Sequence, residues 1–219
     1  MKQITTILFD MDNTLIDRQL AARALMHHIV NTDFATVKSQ EEIETIVDRM
    51  MVLDDEGATP KDILFSQYIA EFGIKEHTWE HYNHLWWEHL GEYTTPYPNA
   101  IEVLKTLKGK YRLGMITNGN GKTQRVKIAK LGCEPYMEIM LVSGEEGIHK
   151  PDARIFQKAL DLMGVGAEET IFVGDSLKFD IEGSIAVGMT PIWIHPDPYK
   201  TTDLPVKRIY KIEELLELL

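Results

Sequence analysis

The feature that most constrains this chain is an alternation in its second half. Short runs of β-branched and other apolar residues recur at Ile4–Phe9, Tyr111–Ile116, Ile139–Val142, Thr170–Val173 and Pro191–Ile194. Stretches of helical pattern separate the later ones. Near-continuous apolar strands spaced by helices read as a parallel sheet covered on both faces. The helical stretches stop at glycine: Thr123–Leu131 at Gly132, Pro151–Met163 at Gly164 and Phe179–Val187 at Gly188. Glycine just past a helix accepts the left-handed conformation that closes it. Pro151 is placed in a first turn, where its missing N–H costs nothing. The fold class is therefore α/β, a doubly wound parallel sheet.

The first half breaks the rhythm. About a hundred residues separate the first strand from the second, whereas a crossover needs only about a dozen plus loops. The stretch Asn99–Lys108, closed by Gly109, supplies that crossover. The remainder reads as four helices. Ser39 and Glu42 form a capping-box pattern. Thr59, Pro60 and Asp62 offer a cap residue, a first-turn proline and an early acid. Gly73 follows the apolar stretch Ile63–Phe72. The expected organisation is a Rossmann-like core of residues 1–16 plus 95–219, with a small α-helical domain inserted over 17–94. Ile16–Arg18 leads out and Thr94–Pro98 leads back.

Composition removes several functions. Lys plus Arg number 23 against 34 Asp plus Glu, a net charge of −11. A nucleic-acid binder needs a basic surface to displace counterions, so that reading fails. A single cysteine, Cys133, excludes an intramolecular disulfide and a cysteine-rich zinc site. No run approaches the roughly 20 apolar residues of a membrane span, and the opening segment lacks the apolar length and cleavage site of a signal peptide. A cytoplasmic protein, monomeric or homodimeric, is expected.

In open parallel sheets, ligands bind beyond the carboxyl ends of the strands. The residues there are informative. Asp10-Met11-Asp12-Asn13-Thr14 follows the first strand, and Thr117-Asn118-Gly119-Asn120 the second. Ser143-Gly144 and then His149-Lys150-Pro151 follow the third; Gly174-Asp175-Ser176, with Asp180 close behind, follows the fourth. An aspartate after a strand is usually a turn former or helix cap. Four such segments converging on one edge are harder to dismiss. Asp10, Asp12, Asp175 and Asp180 would crowd like charges together and raise one another's pKa. A hard divalent cation with oxygen ligands relieves the crowding. Mg²⁺ suits few carboxylates, some waters and a phosphate oxygen. Lys150 adds a point charge.

These four segments, in this order and each after a predicted strand, resemble the motifs of the haloacid dehalogenase superfamily. The inserted helical stretch resembles its members with a helical cap after the first motif. Gly174–Asp180, continuing through Ile181-Glu182-Gly183-Ser184 to Gly188-Met189, resembles the phosphatase-type members. The resemblance implies a Mg²⁺-dependent phosphatase acting on a small phosphorylated metabolite such as a nucleotide monophosphate, phosphoglycolate or a sugar phosphate. It implies Asp10 as nucleophile toward phosphorus, forming an aspartyl phosphate, with Lys150 screening charge on the phosphoryl oxygens. Asp12 is then the general acid and base. Thr117 and the Asn118 N–H hold phosphoryl oxygens. The metal is held by Asp10, Asp175 and the backbone carbonyl of Asp12. Thr14 braces the loop. Asp180 orients Lys150 or a metal-bound water, with direct ligation as the alternative.

Other readings compete. A 2-haloacid dehalogenase of the superfamily releases halide, needs no proton donor and lacks an acid at the position of Asp12. A phosphomutase shares Asp10 and Asp12 and stays open. A non-catalytic phospho-acceptor switch also gathers acids, a hydroxyl and a lysine at a sheet edge, but at about half this length and without the insertion.

Three further stretches carry weaker signals. His77, His81 and His84 stand at helical spacing, as a metal cluster would need. Trp79, Tyr82, Trp86 and Leu90 share the same spacing and form an apolar stripe, which is the better reading. The loop Gly119–Gly121 is either a donor of backbone N–H groups to phosphate or a turn. Ile212–Leu219 is expected as an amphipathic helix docked on the core.

Overall fold

The structure, a computed structural model, describes residues 3–219. Contacts divide the chain into two compact units: Thr95–Leu219 together with the chain up to Asp17, and Arg18–Thr94.

In the first unit, six strands form one parallel sheet among the described residues. They are β1 (Thr6–Phe9), β4 (Arg112–Thr117), β5 (Ile139–Val142), β6 (Thr170–Gly174), β7 (Thr190–Ile194) and β8 (Lys207–Ile209), in the order β5-β4-β1-β6-β7-β8. Two-residue strands β2 (Ile16–Asp17) and β3 (Thr95–Pro96) pair antiparallel, so the outgoing and returning segments are tied together. The chain builds the sheet first to one side of β1 and then to the other. This order reversal places the switch point beside β1.

The period-2 strand pattern builds two apolar layers. Ile7 and Phe9 join Met115, Val142 and Val173 on one face, covered by Val103, Leu104 and Leu107 of helix Ala100–Lys108 and by Ile128 and Leu131 of helix Gly121–Leu131. Leu8, Ile116 and Phe172 point to the other face, against Ile155, Phe156, Ala159, Leu160 and Met163 of helix Ala153–Met163. Ile212 and Leu215 of the C-terminal segment are buried in the first layer, so that tail docks as expected.

Several boundaries differ from the sequence reading. β8 was not anticipated. Helix Ala153–Met163 is capped by Asp152, whose side chain accepts from the Arg154 N–H, so Pro151 stands before the cap and not in the first turn. Gly132, Gly164 and Gly188 adopt positive φ, but Gly109 has φ −67° and its helix ends without a left-handed residue. The last helical stretch is a wide π-type turn, Leu177–Ile181, followed by Glu182–Ala186.

The second unit contains helices α1 (Arg18–Phe34), α2 (Gln40–Asp54), α3 (Lys61–Phe72) and α4 (Trp79–His89). The Ser39–Glu42 capping box opens α2. Pro60, not Thr59, takes the cap position of α3, and Gly73 closes it at φ 69°. Tyr82, Trp86 and Leu90 are buried with Leu25, Phe65 and Tyr68, and Trp79 packs at the edge. His77 and His81 stack on each other at 4.1 Å, and among the described residues no group of metal-ligating side chains includes a histidine. Arg18 and Lys61 both donate to buried Asp54, at 2.6 Å each, and both lie over the Trp86 ring. Burial works against the Asp54 carboxylate, but the two cations outweigh it and hold its pKa low. No helix among the described residues is long and apolar enough to cross a membrane.

Candidate active site

β1 pairs on both sides, which fixes the exit of the chain at its end. The Asp10 N–H donates to Val173 O at 2.8 Å, and the Asp10 side chain is buried. The next turn is gathered by one carbonyl: Met11 O accepts from the N–H groups of Thr14, Leu15 and Ile16. Asn13 completes it at φ 57°, a left-handed conformation that asparagine tolerates better than most residues. The Thr14 hydroxyl donates to Asp10 Oδ2 at 3.3 Å, so Thr14 braces the carboxylate.

Lys150 is brought in from the loop after β5. Asn118, at the end of β4, grips its main chain twice. Asn118 Nδ2 donates to Lys150 O at 3.0 Å, and Asn118 Oδ1 accepts from the Lys150 N–H at 2.9 Å. The Lys150 side chain, 2% exposed, places Nζ 2.6 Å from Asp10 Oδ1 and 2.6 Å from Asp180 Oδ1. Asp180 reaches that point across the end of β6. A Cβ on Gly174 would lie 2.5 Å from the Asp180 side chain, so glycine is required there. The Ser176 N–H occupies Asp180 Oδ2 at 3.0 Å. Asp175 is held by Asn13 Nδ2 on Oδ2 (3.1 Å) and by the Trp193 indole N–H on its carbonyl (2.7 Å).

Asp10, Asp175 and Asp180 each present an oxygen within 4.8 Å of the others. Burial, opposed by Lys150 but reinforced by Asp180 and Asp12, pushes the Asp10 pKa up from 3.8 to about 7. Burial, with Asp180 and Asp10, raises Asp175 well above the carboxylate range. Burial works against the Lys150 ammonium, yet Asp10 and Asp180 outweigh it and raise its pKa. Carboxylates so destabilised as anions are suited to a cation. The donors are all hard oxygens, and Asn13 Oδ1 is a buried acceptor with no hydrogen-bond partner. The residues present therefore fit Mg²⁺.

The Asp12 carboxylate is held elsewhere. Its oxygens accept from Lys127 Nζ at 2.8 and 3.0 Å and from Gln124 Nε2 at 2.9 Å. Gln124 Nε2 also donates to Thr117 Oγ1 at 2.7 Å. With its oxygen accepting, the Thr117 hydroxyl keeps its proton for a further acceptor. The Gly119 N–H is taken by Ser143 Oγ at 3.0 Å, and Asn120 caps helix Gly121–Leu131. The Gly119–Gly121 loop is thus a turn and cap. His149 is an exposed loop residue.

The structure brings Asp10, Asp175, Asp180 and Lys150 together, with Thr14 and Asn118 as their braces. Asp12 and Thr117 share a second network. Sequence reasoning missed Asn13, Gln124, Lys127 and Trp193. One signal was available. Gln124 and Lys127 lie on the same helix face as Ile128 and Leu131, and polar residues at core positions need a partner.

Comparison with known proteins adds kinship. Residues 7–194 match the model of the haloacid dehalogenase-like hydrolase family. The N-acylneuraminate-9-phosphatase of Rattus norvegicus is 30% identical, covering 100% of this chain and 95% of that protein. The glyceraldehyde 3-phosphate phosphatase of Pyrococcus furiosus is 32% identical, covering 100% and 93%. The HAD-hydrolase YfnB of Bacillus subtilis, solved bound to magnesium, superposes with a TM-score of 0.82 at 27% identity, covering 100% and 99%.

Proposed function

The chain belongs to the haloacid dehalogenase-like hydrolase family and is a hydrolase, and we propose that it is a Mg²⁺-dependent phosphatase that cleaves a small phosphate monoester through an aspartyl phosphate on Asp10. The observation that carries this reading is the setting of Asp10: a buried carboxylate with one oxygen on Lys150 and the other on Thr14.

Asp10 attacks phosphorus in line, and the bond from phosphorus to the ester oxygen breaks. A carboxylate meets an anion poorly, and Lys150 is placed to offset that repulsion at the phosphoryl oxygens. Thr117 donates its remaining proton to one of those oxygens. Asp12 protonates the departing oxygen, then takes a proton from the water that hydrolyses the aspartyl phosphate. Asp10 and Asp175, with the Asp12 carbonyl, would hold Mg²⁺. Asp180, with both oxygens engaged by Lys150 and Ser176, orients the lysine. When bound, the cation supplies positive charge against the phosphoryl group and neutralises the crowded acids. The activities for which the Rattus norvegicus and Pyrococcus furiosus relatives are named favour a phosphorylated sugar acid or triose as substrate.

The test is phosphate release from p-nitrophenyl phosphate and from a panel of phosphorylated metabolites. Turnover with Mg²⁺ and its loss in EDTA are expected. Asp12→Asn should lose roughly 10²–10⁴-fold on alkyl phosphates and markedly less on the nitrophenyl ester, whose leaving group needs little proton help. Turnover undiminished by EDTA, or equal losses on both ester classes, would reject the cofactor and the acid role respectively.

A further inference from the structure

A lysine is rarely buried without a task, because ordering its long side chain costs rotamer freedom and its charge must be desolvated. Lys127 is 2% exposed and Gln124 is 1% exposed. They stand one helical turn apart on Gly121–Leu131 and converge on the same acceptor. Lys127 Nζ reaches both oxygens of Asp12, and Gln124 Nε2 bridges Asp12 Oδ2 to Thr117 Oγ1. The Gln124 side chain is itself locked. Gly119, at φ +145°, packs so closely on it that a Cβ there would lie 2.9 Å from its amide carbon. The main chain at Gly119 is in turn fixed by Ser143.

We infer that Lys127 and Gln124 are positioning residues for the acid–base group. They pin the Asp12 carboxylate in one rotamer, and the shared amide sets the Thr117 hydroxyl relative to it. Neither residue needs to touch the substrate. Their contribution is that the proton donor and one phosphoryl-oxygen donor keep a fixed separation through both half-reactions. A carboxylate free to swing would spend part of its time out of reach of the leaving oxygen, and misplacement by about 1 Å can cost on the order of 10²-fold. This inference rests on the phosphatase reading, in which Asp12 carries the proton.

The experiment compares wild type, Lys127→Met, Lys127→Arg and Gln124→Leu, each also in an Asp12→Asn background. Substrates are p-nitrophenyl phosphate and the alkyl phosphate that wild type turns over best. Lys127→Met should lower kcat on the alkyl phosphate by about 30–100-fold, with less than about a tenth of that loss on the nitrophenyl ester and KM nearly unchanged. Lys127→Arg, which still offers paired donors to a carboxylate, should retain most of kcat. Adding Lys127→Met to Asp12→Asn should cost little more, because the group it positions is already gone. Should Lys127→Met not fold, Gln124→Leu carries the same cycle, with a smaller loss of the same leaving-group dependence.

Losses equal on both esters, a change confined to KM, or full additivity with Asp12→Asn would overturn the inference. The two readings fail differently. A wild type that releases no phosphate from any ester sinks the phosphatase assignment and this inference with it. A wild type whose Asp12→Asn variant shows leaving-group dependence, while Lys127→Met and Gln124→Leu do not, sinks the positioning role alone.

Discussion

Asp10→Asn abolishes turnover and, with divalent cations removed at pH 7.5, melts at a higher temperature than wild type. The first half follows from the loss of the nucleophile. The second follows from the cost of the site. Folded Asp10 holds its proton up to about pH 7, whereas its ordinary value is 3.8. As pH rises from about 4 to 7, the unfolded chain releases this proton before the folded one does. The folded state binds more protons in that window, so stability falls with rising pH. Asparagine at position 10 has no charge to desolvate, and the variant escapes that part of the decline. The difference is absent near pH 4 and complete above pH 7, on the order of 2–4 kcal/mol, or about 5–10 °C in a chain of this size. The slope does not vanish in the variant, because Asp175 is raised for the same reasons. Thermal melts in EDTA between pH 4.5 and 8 measure this. A variant that melts below wild type at pH 7.5, or by a constant margin at every pH, would contradict it. Mg²⁺ should raise the melting point of wild type more than that of Asp10→Asn, since one carboxylate ligand is missing.

That trade explains which parts of the molecule could be read from residues alone. Strands buried on both faces advertise themselves as apolar runs, and the four central ones lie where the pattern puts them. β8 was illegible because it is a three-residue edge strand carrying Lys207 and Arg208, the polar character that protects a free edge also hiding it. β2 and β3 are too short to show any period. Pro151 misled because two helix-start signals are adjacent, and the Asp152 side chain, bonded to the Arg154 N–H, takes the cap. In the site, the residues that pair with a charge in the same loop set were legible: Asp10, Asp175, Asp180 and Lys150 each follow a strand. Asn13 was not, since its role depends on a left-handed backbone and an acceptor 162 positions away. Asn118 was read for its N–H, while its side chain does something the spacing could not reveal, clasping the main chain of Lys150.

Lys150→Met should have the largest effect on stability. The lysine is paired with buried Asp10 and Asp180, beside half-buried Asp175, and its Nζ also lies 5.4 Å from the Phe172 ring centroid. Methionine keeps much of the stem's packing and removes the charge. Removing one partner of a buried ion pair typically costs about 3–5 kcal/mol because the other charge is left uncompensated, which is roughly 10 °C here. The acids can escape by taking up protons, so the loss is smaller at pH 5 than at pH 8. A bound cation can also replace part of the missing charge. Mg²⁺ should therefore raise the melting temperature of Lys150→Met by more than it raises that of wild type, without restoring turnover, because no ammonium remains to offset the repulsion between Asp10 and the phosphoryl oxygens. Adding Asp180→Asn to Lys150→Met should return part of the lost stability, a non-additive pair of the kind expected for groups in direct contact. Urea titrations at the two pH values, with and without Mg²⁺, decide the matter. A variant as stable as wild type at pH 8 without metal, or a smaller metal-induced gain than wild type, would show that the acids are not held together by this lysine.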